Sequence, residues 1–156
     1  MVILVVSKLE FNRSISAIVK GAETGRTIAL PGTVKEVRGR AFERNECLKA
    51  VVLNEGLEKL EESRGCDRCG GAFGGTKIKK ITLPTTLKVL GENVFYQCSE
   101  LKSVAFQETS ALEKIGRHCF SESGIERIMI PKTVKTIGAG AFEKCKDLKV
   151  IHADGH

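Results

Sequence analysis

One phrase returns along most of these 156 residues: apolar-x-apolar-Pro, then Val or Leu, Lys, an apolar residue and Gly, then a small residue and Phe, then Cys and Leu. It reads TIALPGTVKEVRGRAFERNECL from Thr27, ITLPTTLKVLGENVFYQCSEL from Ile81 and IMIPKTVKTIGAGAFEKCKDL from Ile128, with two less regular copies in between. A chain that repeats itself at this period folds as a stack of coils. One short unit cannot bury its own apolar face and must share it with its neighbours.

Each coil is anchored on an expected strand: Ile28–Leu30, Val51–Leu53, Ile81–Leu83, Val104–Phe106 and Ile128–Ile130, with Val150-Ile151 opening a sixth. The anchors are spaced 23, 30, 23 and 24 residues apart, and 23 more lead from Ile128 to Ile151. One insertion explains the 30. Five positions separate the second apolar anchor from the Phe in four coils (Val37 to Phe42, for example), but thirteen separate Leu60 from Phe73. The insertion is placed at about 61–75. The chain is expected to form one domain: residues 1–26 a hairpin or cap, 27–151 the repeats and 152–156 a tail.

The slots have physical reasons. Alternating residues such as Ile81 and Leu83 point inward while Lys80 and Thr82 point out. Val34, Leu57, Leu87, Leu112 and Val134 supply a second inward edge. Phe42, Phe73, Phe95, Phe120 and Phe142 are expected to stack as an aromatic spine. Pro31, Pro84 and Pro131 all follow the strand, where a missing N–H ends pairing without loss of a core bond. Gly91, Gly116 and Gly138 follow the second anchor, which suggests a tight backbone turn. Three residues past each Phe stand Asn45, Thr76, Cys98, Ser123 and Cys145, small polar groups suited to bonding the free backbone of a neighbouring coil.

The phrases at Pro131–Leu148 (Pro-x-x-Val-x-x-Ile-Gly-x-x-Ala-Phe-x-x-Cys-x-x-Leu) and Pro84–Leu101 resemble the BspA-like leucine-rich repeat family, found on the surfaces of bacteria and protozoan parasites. Ser110–Ile125 resembles the shorter alternating form of that repeat, and residues 1–26 the hairpin that often precedes the first coil. The resemblance implies a leucine-rich-repeat-type solenoid, a β-rich right-handed coil of about five repeats of 22–24 residues with short helical or turn segments. It implies adhesion or protein recognition at a cell surface or in secreted form, and neither catalytic residues nor a cofactor.

Composition excludes several classes. The charge of +6 (25 Lys and Arg against 19 Asp and Glu) is mild and scattered, and with no Trp and one Tyr there is no platform for stacking bases. Nucleic acid is therefore not an expected partner. No apolar run is long enough to span a bilayer. Met1–Val6 is apolar but lacks a basic leader and a cleavage site, so it reads as a strand and not a signal peptide. An intracellular scaffold is the alternative compartment. Asn12-Arg13-Ser14 fits a glycosylation acceptor, and a polar hairpin turn equally well.

Chemistry has one sharp candidate, Cys66-Asp-Arg-Cys69. Two thiols at that spacing can bind zinc or form a reversible disulfide, but a structural zinc site wants four ligands and no second pair exists. A small metal or redox protein using Cys66 and Cys69 stays open as a second alternative, against a plain flexible, Gly-rich insertion. Cys119 reads as a small buried filler and Cys47 as exposed. His118, His152 and His156 are too scattered for a ligand set. Lys77, Lys79 and Lys80 form a local basic cluster that reads as a solvated strand edge.

The expected working surface is the outward column of the first strands: Val52, Lys80, Thr82, Ala105, Arg127, Met129 and Val150. Small and apolar residues with two cations among them suit a protein partner along a continuous sheet face. An open strand edge after Ile151 also allows end-to-end association of two copies.

Overall fold

The structure, a computed structural model, describes residues 27–61 and 70–153. The expected hairpin at 1–26, the glycosylation triplet, Cys66, Cys69 and the last three residues lie outside this range.

Two strands per coil give a parallel solenoid. The first-strand column holds β1 (Thr27–Ala29), β3 (Ala50–Val52), β5 (Lys80–Thr82), β7 (Ser103–Ala105), β9 (Arg127–Ile130) and β11 (Val150–Ala153). The second holds β2 (Glu36–Val37), β4 (Lys59–Leu60), β6 (Val89–Leu90), β8 (Lys114–Ile115) and β10 (Thr136–Ile137). Alternation of burial along the first strands turns Ile28, Val51, Ile81, Val104 and Ile128 inward, as a period of two requires. The strands begin one residue before their apolar anchors. Among the described residues the connecting segments are turns; none is helical.

The two columns differ in continuity. The second forms one five-stranded sheet, β10-β8-β6-β4-β2, while the first is divided into β1-β3 and β11-β9-β7-β5. The expected continuous face is therefore interrupted between β3 and β5, the one step across which the sequence spacing is 30 residues. There the backbone bond from Lys79 N–H to Lys49 O at 3.3 Å crosses between the coils, and the second column carries the stack on through Lys88 N to Glu58 O and Gly91 N to Leu60 O.

The glycine-rich stretch after the insertion belongs to the coil and is not loop. Phe42 N donates to Ala72 O, Gly71 N to Asn93 O and Phe73 N to Val94 O, and Gly70 to Gly74 are all buried. A side chain at Gly71 would press on the backbone of Val94, with 2.5 Å to its Cα. The same reason, and not tight turning, explains Gly116 and Gly138. Neither has a positive φ, and added Cβ atoms would lie 2.5 Å from Gly91 C and from Arg117 N respectively. These glycines set how closely coils approach.

The interior is one file of side chains. The rings of Phe42, Phe73, Phe95, Phe120 and Phe142 follow one another at 5.1, 5.7, 5.4 and 5.5 Å, within 8° of parallel. Turns around these rings open toward the next coil. Residues two before and two after the Phe take the left-handed conformation, as at Asn93 and Gln97, and at His118 and Glu122. That aims the backbone N–H groups along the stack: Phe95 N to Cys119 O, Gln97 N to Ser121 O, Phe120 N to Ala141 O. Left-handed residues are unfavourable except for Gly and Asn, so coil-to-coil bonding overrides local preference here.

In the slot three past the Phe the two cysteines bond the backbone of the preceding coil, whereas Asn45 Oδ1 accepts from Cys47 N within its own coil. Cys98 Sγ donates to Phe73 O at 3.2 Å and Cys145 Sγ to Phe120 O at 3.0 Å. Beyond the last Phe the interior opens. Val134, Phe142 and Leu148 are only half-buried, and Ile137 and Ile151 are 49% and 50% exposed.

Candidate functional site

The outward column is assembled by register. Pairing sets Ala29 beside Val52, Thr82 beside Ala105, and Lys80, Ser103, Arg127 and Val150 in one row. Met129 and Val52 are each 57% exposed, and Lys80, Thr82, Ala105 and Arg127 are exposed with them. Of Val150 only its place in β11 is described. The structure brings Lys80, Thr82, Ala105, Arg127 and Met129 onto one four-stranded sheet, while Val52 stands on the two-stranded one.

One position before these strands runs a second row, Lys49, Lys79, Lys102, Glu126 and Lys149. Each is joined to the next by a backbone bond of 2.9–3.4 Å. Lys102 is taken up by Glu126 at 3.5 Å and Asp147 at 2.7 Å. Among the described residues Lys49, Lys79, Lys80 and Arg127 have no ion-pair partner. The opposite sheet differs. Three of its outward lysines are paired across coils: Lys59 with Glu36 at 3.2 Å, Lys88 with Glu58 at 3.3 Å and Lys135 with Glu113 at 3.3 Å, while Lys35 and Lys114 have no ion-pair partner among the described residues. Among the described residues, the second face thus cancels most of its charge and the first keeps more of its own.

A groove of about 670 Å³ lies beside this column, where Ala105, Phe106 and Gln107 face Met129, Pro131 and Lys132. It opens because β7 and β9 pair only at Ser103 and Arg127, whereas β5 and β7 pair at three positions. The fourth coil spends six positions from Phe106 to Leu112 where the third spends four from Leu83 to Leu87. The longer turn leaves the gap. Thr133 also lines it, and its shielded Oγ1 has no hydrogen-bond partner among the described residues.

Acidic groups tie neighbouring coils together. Glu55 accepts from Thr85 Oγ1 at 2.8 Å, Thr85 N at 3.2 Å and Gln107 Nε2 at 2.9 Å. These bonds, the Thr85 hydroxyl first, hold its carboxyl below the usual range. Glu122 is lowered in the same way, chiefly by Gln97, and Asp147 by Lys102.

The remaining chemistry-bearing residues do not converge. His118 Nδ1 meets Glu143 at 3.2 Å in an open cleft of about 550 Å³ that also holds Tyr96, Arg117 and Lys144. Cys119, adjacent in sequence, is fully buried among the coils, and burial pushes its thiol far up. The two form no nucleophile pair. Burial likewise raises Cys98 to about 11. Cys47 is free and exposed. Among the described residues no group of three or more His, Cys, Asp and Glu could hold a metal. Among them, too, no helix is long and apolar enough to cross a membrane.

The groove and the paired second face escaped the sequence reading, though both left signals. The alternation Lys35, Glu58, Lys88, Glu113, Lys135 along one slot announces cross-coil pairing, and the two extra turn residues after Phe106 announce the gap.

The sequence profile described as BspA type leucine rich repeat region matches residues 20–149 in six copies. Among solved structures, the pneumococcal vaccine antigen PcpA is 27% identical with a TM-score of 0.74, over 83% of this chain and 31% of that one. A leucine rich cell surface protein from Faecalibacterium prausnitzii is 21% identical with a TM-score of 0.53, over 82% of this chain and 38% of that one, and speaks to the fold. The chain spans about a third of the length of these two structures. No curated protein is similar enough in sequence to match.

Proposed function

Because this chain belongs to the BspA-type leucine-rich repeat family, a fold of protein interaction, we propose that it is a non-enzymatic recognition module acting in adhesion. It binds a host or matrix protein through the outward column of Lys80, Thr82, Ala105, Arg127 and Met129, with Val52 and Val150 at its margins. The observation that carries this reading is the exposure of Met129 and Val52 among cations that have no ion-pair partner among the described residues, whereas the opposite face carries three cross-coil ion pairs. Large exposed apolar side chains beside uncompensated charge suit a partner more than they suit water.

Localisation at the cell surface follows from the same reading, supported by the surface protein among its structural neighbours. Antibody staining of unpermeabilised cells tests it. The exposed free thiol of Cys47 favours the alternative of an intracellular scaffold, which absent surface staining would select. A metal or redox role for Cys66 and Cys69 is tested by metal analysis and thiol counting on native protein. End-to-end association through the half-exposed Ile137 and Ile151 is tested by light scattering.

The site itself is tested by binding of the purified chain to immobilised matrix proteins and to intact epithelial cells. Arg127→Glu with Met129→Glu is expected to weaken binding by about tenfold or more while the circular dichroism is unchanged. Unchanged binding would remove the function from this face.

A further inference from the structure

We propose that the partner presents an acidic, extended protein segment. Its carboxylates lie over Lys79, Lys80 and Arg127, and one apolar side chain enters the groove between Ala105, Phe106 and Met129. This deepens the reading above and rests on it.

Two observations carry the chemistry. Backbone bonding stacks Lys49, Lys79 and Lys102 in one row, and Lys80 and Arg127 stand one position further along in the next. Like charges held in register repel one another, and a solenoid can relieve this by alternating sign from coil to coil. The second sheet does so with Lys59–Glu36, Lys88–Glu58 and Lys135–Glu113. The first sheet relieves only Lys102, through Glu126 and Asp147. Its remaining cations have no acidic partner among the described residues, which suits them to an external anion, and complementary charge steers and orients such a partner.

The second observation is the groove. Its lining combines apolar Ala105, Phe106, Met129 and Pro131 with two cations, Arg127 and Lys132, and one carboxylate, Glu108. A pocket with an apolar floor and an excess of cations at its edge fits an apolar side chain flanked by Asp or Glu on the Arg127 side, away from Glu108. A nucleic acid fits less well. The ring that lines the groove, Phe106, is half-buried, and the sole tyrosine, Tyr96, lines clefts on the turn side of the coil, so a run of bases has no series of exposed rings to stack on here.

The test uses the full chain and fluorescence anisotropy. The probes are a labelled peptide of alternating Asp, Glu and Ser around a central Leu, the same peptide with Ser for Leu, heparin, and duplex DNA. The acidic Leu peptide is expected to bind, and to weaken severalfold between about 50 and about 200 mM salt as exposed charges are screened. Lys80→Glu with Arg127→Glu is expected to lower its affinity by about tenfold or more, and replacing the central Leu by Ser by a similar factor, as loss of a buried apolar side chain requires. Lys135→Glu, on the opposite face where Lys135 is already paired with Glu113, is expected to change it less than about twofold.

Peptide binding that ignores the Lys80/Arg127 variant, or that ignores loss of the Leu, overturns the proposal. So does tighter binding of heparin or DNA than of the peptide, with the same variant sensitivity. If matrix or cell binding is lost in the Arg127/Met129 variant but the acidic peptide does not bind, this inference fails and the recognition reading stands. If neither behaves as expected, both fail.

Discussion

The Cys98 thiol donates to the carbonyl oxygen of Phe73 at 3.2 Å, from one coil to the one before it, deep inside the stack. The same carbonyl accepts Thr76 N at 3.2 Å, so the thiol is its second donor. Cys98→Ala removes that bond and a little volume, and is expected to cost about 1–2 kcal/mol. Cys98→Ser keeps a donor and is expected to cost less than the alanine. Chemical denaturation of the three proteins checks the order.

The aromatic file predicts a gradient of cost along the solenoid. Phe95 is fully buried between Phe73 and Phe120, with rings 5.7 and 5.4 Å away. Phe95→Ala is expected to lose about 3–5 kcal/mol, the usual range for an emptied aromatic site. Phe142 has one ring neighbour among the described residues and is half-buried, so Phe142→Ala is expected to cost clearly less. Equal losses would mean that the rings are not stacked in one file.

Glycine tolerance follows coil spacing. An added Cβ at Gly116 would stand 2.5 Å from the carbonyl carbon of Gly91, where only backbone could move, whereas at Gly32 it would meet nothing within 4 Å. Gly116→Ala is expected to destabilise by about 1–3 kcal/mol, as overpacking does. Gly32→Ala is expected to stay within about 0.5 kcal/mol, like other open surface changes. Thermal melts of the pair measure the contrast.

Buried thiols predict an alkaline limit. Burial favours the neutral thiol of Cys98, raised to about 11, and of Cys119 more strongly. In the unfolded chain a thiol ionises near ~8.5. The stability tied to these groups is therefore complete below that pH and is lost as pH rises toward and through about 11 for Cys98. Melting temperature should fall over this window, and less steeply in Cys119→Ala. In native protein at neutral pH, a thiol reagent followed by peptide mapping should label exposed Cys47 before Cys98 or Cys119.

Acid should loosen the coil-to-coil clamps. Glu55, Glu122 and Asp147 are all lowered by their hydrogen bonds and cationic neighbours. A depressed carboxyl contributes stability above its unfolded value and loses it as pH falls through the folded one, so the loss lies below about pH 4. Glu55→Gln should flatten that acid limb of the stability profile, measured by denaturation at a series of pH values.

The spine was legible because a side chain repeated at fixed spacing in a stacked chain can only meet its own equivalents. The five Phe, the inward Ile and Leu pairs and the bonding role of Cys98 and Cys145 all follow from that. The glycines were legible as special but not in their reason. A sequence does not distinguish a residue that must turn from one that must let a neighbour come close, and Gly116 and Gly138 do the second. The extent of the inserted segment was misread at 70–75 because consecutive glycines look like loop. The bonds from Phe42 N to Ala72 O and from Gly71 N to Asn93 O hold them in the coil.

The repeat by itself determined a solenoid with an apolar interior and an outward column of Thr, Ala, Lys, Arg and Met, because periodicity dictates which positions face each other. Tertiary structure alone decided that the first sheet is broken between β3 and β5, that β7 and β9 part to leave a groove, and which charges cancel. Each of these depends on distances between coils. Such distances are set by packing around an insertion and a long turn, and equivalent slots in the sequence carry no measure of them.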